Sequence, residues 1–225
     1  MNLIKMDGFF HPSQADGTVH IIGCGAVGSS IAFLLAHCGI TGFVLYDDDI
    51  VEDHNIANQM YRDEDIGKPK VEALREILVA INPEIADHIR VVNGKYVDQP
   101  LSGSVFLCVD SVAVRRQIAT DNQYNPQISV LSDVRLGLTD AQHFLVNWKD
   151  PREVRNFFKT MEFTDEEARA ETPHTACNVM LSVCTSVFGI CSMAVSNWMT
   201  FIKTKGKSKK NTVLLDVETM MLSAF

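Results

Sequence analysis

A glycine-rich turn between an apolar run and a helical stripe narrows the possible folds of this chain more than any other segment. Residues 19–22 read Val-His-Ile-Ile and lead directly into residues 23–28, which have the pattern G-x-G-x-x-G. An apolar stripe at helical spacing then runs over residues 31–38, and a glycine follows it. A glycine-rich turn in this context is typical of the first βαβ unit of a nucleotide-binding fold.

Each glycine of this turn has a separate expected role. Gly23 permits the tight turn, Gly25 lets a phosphate approach the backbone, and Gly28 allows the helix to pack closely. The N-terminus of the following helix offers free N–H groups to an anion. Asp47 ends the next apolar run, where a carboxylate can bind the ribose hydroxyls of a nucleotide. The alternatives are a glycine-rich turn that holds no ligand and a solvated acidic turn.

Apolar runs alternate with helical stripes over the first 135 residues. We predict strands at 19–22, 43–46, 105–109 and 128–131, and helices around 31–38, 71–81 and 112–119. Strands that alternate with helices pair in parallel and form a doubly wound sheet. The predicted fold class is therefore α/β, with a Rossmann-like, mainly parallel sheet.

The pattern changes after residue 135. We predict a strand at 143–146, a charged surface excursion with two short helices at 150–172, a long apolar helix within 176–202, and closing strands at 212–215 and 219–224. The first 17 residues read as an irregular arm. We expect one domain over 1–225, with a nucleotide-binding half at 1–135 and a mixed C-terminal half at 136–225.

Composition excludes some classes of function and localisation. The net charge of −8 argues against a nucleic-acid-binding protein, which needs clustered basic residues. Residues 176–202 are long enough to span a bilayer, but polar residues such as Asn178, Ser186 and Asn197 interrupt them, so we expect a buried helix and no membrane. The start of the chain has no signal-peptide pattern, and no C-x-x-C pair occurs, which favours a cytoplasmic protein.

Four further segments resemble the ThiF/MoeB adenylyltransferases, the family that includes the ubiquitin-activating enzymes. The segments read D-D-D-I-V-E-D-H-N-I-A-N-Q at 47–59, D-I-G-K-P-K-V-E-A at 65–73, I-N-P at 81–83 and V-D-S-V-A-V-R at 109–115. The pattern of that family is D-x-D-x-V-x-x-x-N-x-x-R-Q, I-G-x-x-K-A, I-N-P, and an Asp before a short helix. The likeness covers residues 19–120, and looser features further on are similar to stand-alone bacterial or phage members.

The resemblance implies an adenylyltransferase that uses ATP and Mg²⁺. Such an enzyme attaches AMP to the C-terminal carboxylate of a ubiquitin-like or sulfur-carrier protein, and a homodimer is expected. By resemblance, Lys70 contacts phosphate and Asp110 binds the metal, while Asp49, Asn55, Asn58 and Gln59 join Asp47 and the glycine loop around the nucleotide. The alternatives are a surface lysine for Lys70, a helix N-cap for Asp110, and loop hydrogen bonding for Asn55 and Gln59.

The chain departs from the family pattern at one charged position. Asn58 stands where the family has an Arg that contacts phosphate, and residues 1–19 contain no Arg. Arg62 is either a substitute, if this stretch is helical, or an exposed side chain beside the acidic residues 63–65. Weak or absent adenylation is therefore a second hypothesis, in which the chain is a binding scaffold.

A thioester-forming cysteine is the third catalytic candidate. Residues 173–175 read Pro-His-Thr where stand-alone relatives have Pro-Cys-Thr, and Cys177 follows, so Cys177 is the candidate thiol with His174 beside it. The alternative for Cys177 is a half-buried helix cysteine, and Cys184 and Cys191 read as core. Arg135 either contacts the carboxylate of the carrier or ATP, or forms a structural ion pair.

Two other functional hypotheses remain open at this point. An NAD-dependent oxidoreductase would explain the glycine loop and Asp47, but it leaves the patterns at 55–59 and 67–70 unexplained. Within the adenylyltransferase hypothesis, a small molecule or a peptide carboxylate could accept AMP in place of a carrier protein.

Overall fold

The computed structural model describes residues 1–6, 8–15, 17–171 and 181–225 and contains one eight-stranded sheet. The strands are β1 (Val19–Ile22), β2 (Phe43–Asp47), β3 (Ile89–Asn93), β4 (Gly103–Leu107), β5 (Ile128–Leu136), β6 (Asp140–Asn147), β7 (Thr212–Asp216) and β8 (Met221–Ala224). The helices are α1 (Ala26–His37), α2 (Lys70–Ile81), α3 (Val112–Asp121), α4 (Pro151–Lys159), α5 (Asp165–Glu171) and α6 (Cys184–Thr204).

The strand order confirms the predicted fold class. The order is β3-β2-β1-β4-β5-β6-β7-β8; the pairs from β3 to β5 are parallel, and those from β5 to β8 are antiparallel. The order reverses direction at β1, because β2 and β4 lie on either side of it. Ligands of open α/β sheets bind outside the carboxyl ends of the strands at such a switch point.

Helices cover both faces of the sheet. On one face α1, α2 and α6 enclose a core that includes Ile21, Phe106 and Trp198. On the other face α3 and α4 enclose a second core that includes Val105 and Trp148. Both faces of the parallel strands are therefore buried, as their continuous apolar runs predict.

Helix α6 is the long apolar helix expected from the sequence. By length and composition alone it could cross a membrane, but 56% of its apolar window is buried inside the protein. It packs on α1, β5, β6 and β7, and the indole of Trp198 donates a hydrogen bond to Ser104 Oγ at 2.9 Å. These contacts are those of a core helix.

Three expectations about local structure were incomplete or wrong. The edge strand β3 was not predicted, because its side chains alternate only weakly between half-buried and exposed positions. The segment 150–172 is more than a surface excursion, since α4 buries Val154 and Phe157 against the sheet. Cys184 is exposed rather than part of the core, because it is the first residue of α6 and the buried part of that helix begins only at Ser186; Cys191 is buried as expected.

The N-terminal arm folds onto the edge of the sheet opposite the carboxyl ends. Phe10 is buried, with its ring 5.7 Å from that of Trp198. A side-chain carbon added to Gly39, at the end of α1, would lie 2.5 Å from Leu3. The described part of the arm is therefore anchored away from the carboxyl-end edge.

Candidate functional site

The backbone of the glycine loop touches the end of strand β4. Gly23 has a φ of +92°, and a Cβ there would lie 2.7 Å from the carbonyl oxygen of Cys108. A Cβ on Gly28 would lie 1.9 Å from the carbonyl oxygen of Gly23. Both glycines are therefore required by the fold itself, since any side chain would collide with backbone.

Gly25 lies in a different environment from the other two glycines. A Cβ there would meet no atom of the described residues within 4 Å. Gly25 is the N-cap of α1, and no described side chain caps that helix. The first-turn N–H groups of α1 therefore have no side-chain acceptor among the described residues, and a helix N-terminus of this kind is able to bind a phosphate.

Asp47 supports the loop directly. Its carboxylate accepts hydrogen bonds from the N–H of Cys24 at 2.5 Å and from the N–H of Asp49 at 2.9 Å. Burial raises the pKa of Asp47, and these hydrogen bonds oppose the rise. Each carboxylate oxygen keeps a lone pair for a hydroxyl donor, so the carboxylate is still able to bind ribose.

Lys70 begins α2 and points back toward the acidic turn after β2. Its Nζ lies 2.8 Å from Asp49 Oδ2, with the lysine side chain 8% exposed and the Asp49 side chain 65% exposed. A cleft of about 300 Å³ is lined by Asp48, Asp49, Ile50, Glu52, His54, Asn55 and Lys70. The structure thus brings together Asp49, Asn55 and Lys70, and it rejects the surface-lysine alternative.

The polar residues 55–59 take three different roles. The side chain of Asn55 is buried and accepts a hydrogen bond from the N–H of Glu52 at 2.9 Å. Asn58 donates to Ser182 Oγ at 2.8 Å. The side-chain oxygen of Gln59 is buried without a hydrogen-bond partner among the described residues. An unpaired buried oxygen costs free energy, so Gln59 is the residue of this loop that a bound donor would satisfy.

Tyr61 was not identified from the sequence, yet its hydroxyl joins the glycine loop to the start of α2. Its hydroxyl donates to the carbonyl of Cys24 at 2.6 Å and also lies 3.3 Å from the carbonyl of Lys70. Burial raises the pKa of Tyr61 far above its usual value, so the phenol stays protonated. Its hydrogen bonds link distant segments, which no local sequence pattern indicates.

Asp110 is exposed just beyond the end of β4. The N-cap of α3 is Ser111, whose hydroxyl accepts the N–H of Val114 at 3.1 Å, so the N-cap alternative for Asp110 is wrong. A carboxylate at this edge is the type of ligand that Mg²⁺ takes together with substrate phosphates, so Asp110 fits the role of a single protein ligand to that ion.

The arginines that could have supplied charge to the site are engaged elsewhere. Arg62 pairs with Glu64 at 2.6 Å and with Asp65 at 3.3 Å. Arg135 pairs with the fully buried Asp133 at 2.7 Å and donates to the carbonyl of Thr160 at 2.6 Å. Arg62 is therefore the exposed side chain beside the acidic residues 63–65, and Arg135 forms the structural ion pair that was one of its two alternatives.

Cys177, His174 and the segment around them lie outside the described residues. Among the described cysteines, burial raises the pKa of the Cys24 and Cys108 thiols, so neither is a reactive thiolate at neutral pH.

Comparison with known proteins shows which family this sequence matches. The profile of the ThiF family matches residues 13–225. The chain is 37% identical over 110 residues to the molybdopterin-synthase adenylyltransferase of Escherichia coli (strain K12), covering 46% of this chain and 43% of that protein. It is 35% identical over 120 residues to the sulfur carrier protein ThiS adenylyltransferase of the same strain, covering 51% and 47%.

Similarity extends to a eukaryotic protein and to solved structures. The ubiquitin-like modifier-activating enzyme 5 of Caenorhabditis briggsae is 38% identical over 78 residues, which is 35% of this chain and 18% of that protein. The chain spans less than half the length of these curated relatives. The crystal structure of E. coli MccB with ATP shares the fold, with a TM-score of 0.69 at 15% identity over 95% of this chain and 64% of that one.

Proposed function

Because this chain belongs to the ThiF family, we propose that it is an ATP-dependent adenylyltransferase. Its substrate would be the C-terminal carboxylate of a ubiquitin-like or sulfur-carrier protein, which it converts to an acyl adenylate. Two features at one edge of the sheet carry this proposal. Helix α1 has no side-chain cap at its N-terminus among the described residues, and Lys70 places its ammonium beside Asp49 in the acidic turn after β2. The named relatives that act on such carriers support the choice of substrate.

The proposed reaction needs charge neutralisation more than it needs a base. The carboxylate oxygen of the carrier forms a bond to the α-phosphorus of ATP, and the bond to the leaving pyrophosphate breaks. Negative charge on the phosphates is stabilised by the amides at Gly25 and the first turn of α1, and by the ammonium of Lys70. Asp110 would hold Mg²⁺, which supplies further neutralisation of the phosphates when bound.

We propose a specific part for each polar residue around the cleft. Asp47 orients the loop through Cys24 and accepts ribose hydroxyls, and Asp49 holds Lys70 in place until phosphate arrives. Asn55 shapes the turn, and Gln59 offers its unpaired oxygen to the nucleotide. Cys177 remains a candidate for a subsequent thioester, in which the thiolate would displace AMP from the acyl adenylate.

We propose further that the protein is a cytoplasmic homodimer that needs neither membrane nor nucleic acid, with residues 1–225 acting as one unit. Phe188 on α6 and Leu222 on β8 are 40% and 53% exposed, and exposed apolar surface favours association. Sedimentation velocity tests the dimer, and a Leu222→Glu variant that sediments like the native chain would argue against this face. Five described cysteines are free thiols, which supports a reducing compartment.

The alternative of a non-catalytic scaffold has one specific observation in its favour. Asn58 carries no charge, and Arg62 is held by Glu64, which leaves Lys70 as the cation of the described cleft. A triphosphate usually meets more positive charge than one lysine.

A thermal shift experiment separates these functions. A ligand at about 100 times its Kd stabilises the fold by about 2.7 kcal/mol, which raises the Tm of a chain of this size by roughly 2–4 °C per kcal/mol. We expect a shift with Mg-ATP and none with NAD, and we expect the Asp110→Ala variant to lose the magnesium-dependent part. No shift with Mg-ATP would favour the scaffold, and a shift with NAD alone would favour an oxidoreductase.

A further inference from the structure

Two helices begin after neighbouring strands at the carboxyl-end edge, on opposite faces of the sheet, and among the described residues only the second has a side-chain cap. Helix α1 follows β1 and has no side-chain cap among the described residues. Helix α3 follows β4, the strand next to β1, and its first turn is fully engaged. The N–H of Val114 donates to Ser111, and those of Val112 and Ala113 donate to the carboxylate of Asp165.

Asp165 comes from a segment distant in sequence and is itself held firmly. Its second carboxylate oxygen accepts a hydrogen bond from Ser111 Oγ at 2.8 Å. The turn that carries it is a capping box, in which the N–H of Glu167 donates to Thr164 Oγ1 at 3.1 Å and the N–H of Thr164 donates to Glu167 Oε2 at 2.8 Å. Arg116 of α3 also donates to the carbonyl of Phe163 at 3.3 Å.

The residue between these restraints is Asp110. The residues after Asp110 are held by Asp165, and the residues before it are held by Arg115. The buried guanidinium of Arg115 donates to the carbonyl of Leu107 at 3.2 Å and to that of Val109. Arg115 is held by the buried carboxylate of Asp133. The turn that bears Asp110 is therefore restrained before and after the carboxylate, while Asp110 itself is exposed.

We propose that Asp165 is a positioning residue for Asp110, and this inference rests on the proposed function of Asp110 as the magnesium ligand. The Asp165 carboxylate fixes the first turn of α3, and that turn fixes the direction in which Asp110 presents its oxygens. Asp165 itself touches neither nucleotide nor metal.

Nucleotide titration of three variants tests this role. Isothermal titration calorimetry with ATP, with and without Mg²⁺, compares the native chain with Asp165→Ala, Asp165→Asn and Glu166→Ala. Glu166 is the matched control, because it is the next acidic residue and is exposed. We expect Asp165→Ala to weaken binding of Mg-ATP by about tenfold, the order of a lost capping carboxylate, and to leave binding of ATP without Mg²⁺ unchanged. Asp165→Asn keeps an acceptor and should lose less.

Hydrogen exchange at residues 112–114, measured without nucleotide, gives a readout that does not depend on activity. We expect faster exchange in Asp165→Ala and native exchange in Glu166→Ala. Faster exchange combined with native Mg-ATP affinity would overturn the proposal, since the contact would then be structural only. If Asp165→Ala does not fold, Asp165→Asn against Glu166→Ala decides the question. A native chain that fails to bind Mg-ATP would instead refute the proposed function, and with it this role.

Discussion

The side-chain amide of Asn58 donates a hydrogen bond to the hydroxyl of Ser182, 2.8 Å away, across 124 residues of sequence. By its resemblance to the ThiF pattern, Asn58 is expected at the position where that pattern has an arginine, and Ser182 lies just before α6. The contact therefore links the loop after β2 to the C-terminal half of the chain through a neutral side chain.

Restoring the charge at this position should strengthen nucleotide binding. We expect Asn58→Arg to bind Mg-ATP more tightly by about tenfold, because a hydrogen bond to a charged group contributes about 1.5–3 kcal/mol. Asn58→Ala is the matched control, since it removes only the contact with Ser182. Fluorescence titration with a labelled ATP measures both, and equal affinities for the two variants would show that an arginine at this position does not reach the phosphates.

Two glycine substitutions should separate folding from binding. A methyl group on Gly28 would collide with the carbonyl of Gly23, whereas a methyl group on Gly25 meets no described atom within 4 Å. We therefore expect Gly28→Ala to lower the free energy of unfolding by several kcal/mol, roughly as overpacking does. Gly25→Ala should keep native stability and lose ATP affinity, because the methyl group fills the phosphate cradle. Urea denaturation and ATP titration measure the two effects, and a Gly25→Ala variant with native affinity would place the phosphate elsewhere.

Removing the charge of Lys70 should affect binding far more than stability. Its partner Asp49 has a side chain that is 65% exposed, so the ion pair contributes at most about 1 kcal/mol to folding. We expect Lys70→Met to reduce Mg-ATP affinity by roughly tenfold or more. Lys68→Met is the control, because Lys68 pairs with Asp65 and Glu76 instead. A similar loss in both variants would indicate a general charge effect and not a phosphate contact.

The buried His143 should make the fold sensitive to mild acid. Its Nε2 lies 3.0 Å from Ser132 Oγ, and its Nδ1 is buried without a partner in the described chain. Burial lowers the pKa of His143 from 6.5 to about 3. Between these values the unfolded chain binds a proton that the folded chain does not, so the free energy of unfolding falls as the pH drops below 6.5, by about 1.4 kcal/mol per pH unit.

The slope with pH, rather than the stability itself, is the quantity to measure. The free energy of unfolding is measured by urea denaturation at several pH values from 5 to 6.5. It should depend less steeply on pH in His143→Asn than in the native chain, by the equivalent of about one proton bound on unfolding. His88→Asn is the control, since it is the same substitution at an exposed histidine. An unaltered slope in His143→Asn would mean that this imidazole titrates alike in the folded and unfolded states.

Local patterns were sufficient to predict the parallel part of the fold, from β1 to β5. The glycine loop and the stripes of α1 and α2 each show their period within a dozen residues, so they are legible without tertiary information. β3 escaped prediction because, as an edge strand with Arg90 exposed, it buries little of either face. Lys70 and Asp49 were chosen as site residues from the family pattern, and the structure places their side chains in contact.

The long-range polar contacts could not be predicted, because nothing in the local sequence reports them. Arg135 was left open between ligand and ion pair, and its role is decided by Asp133 and by Thr160, which lies 25 residues further along the chain. Tyr61 and Asp165 likewise act through partners 37 and 53 residues away. Only the folded chain brings these pairs together.

The contact of Gly23 with the carbonyl of Cys108 limits how this domain can be recombined with its relatives. No side chain lies between the two backbones to absorb a change in either one, since a single carbon at Gly23 would come within 2.7 Å of that oxygen. A chimera could take the glycine loop from one parent and the turn after β4 from another. The backbones of these two segments would then come from different proteins and would not be complementary in shape. The loop and the turn should therefore be exchanged together, as one cassette made of two pieces of sequence that are far apart in the chain.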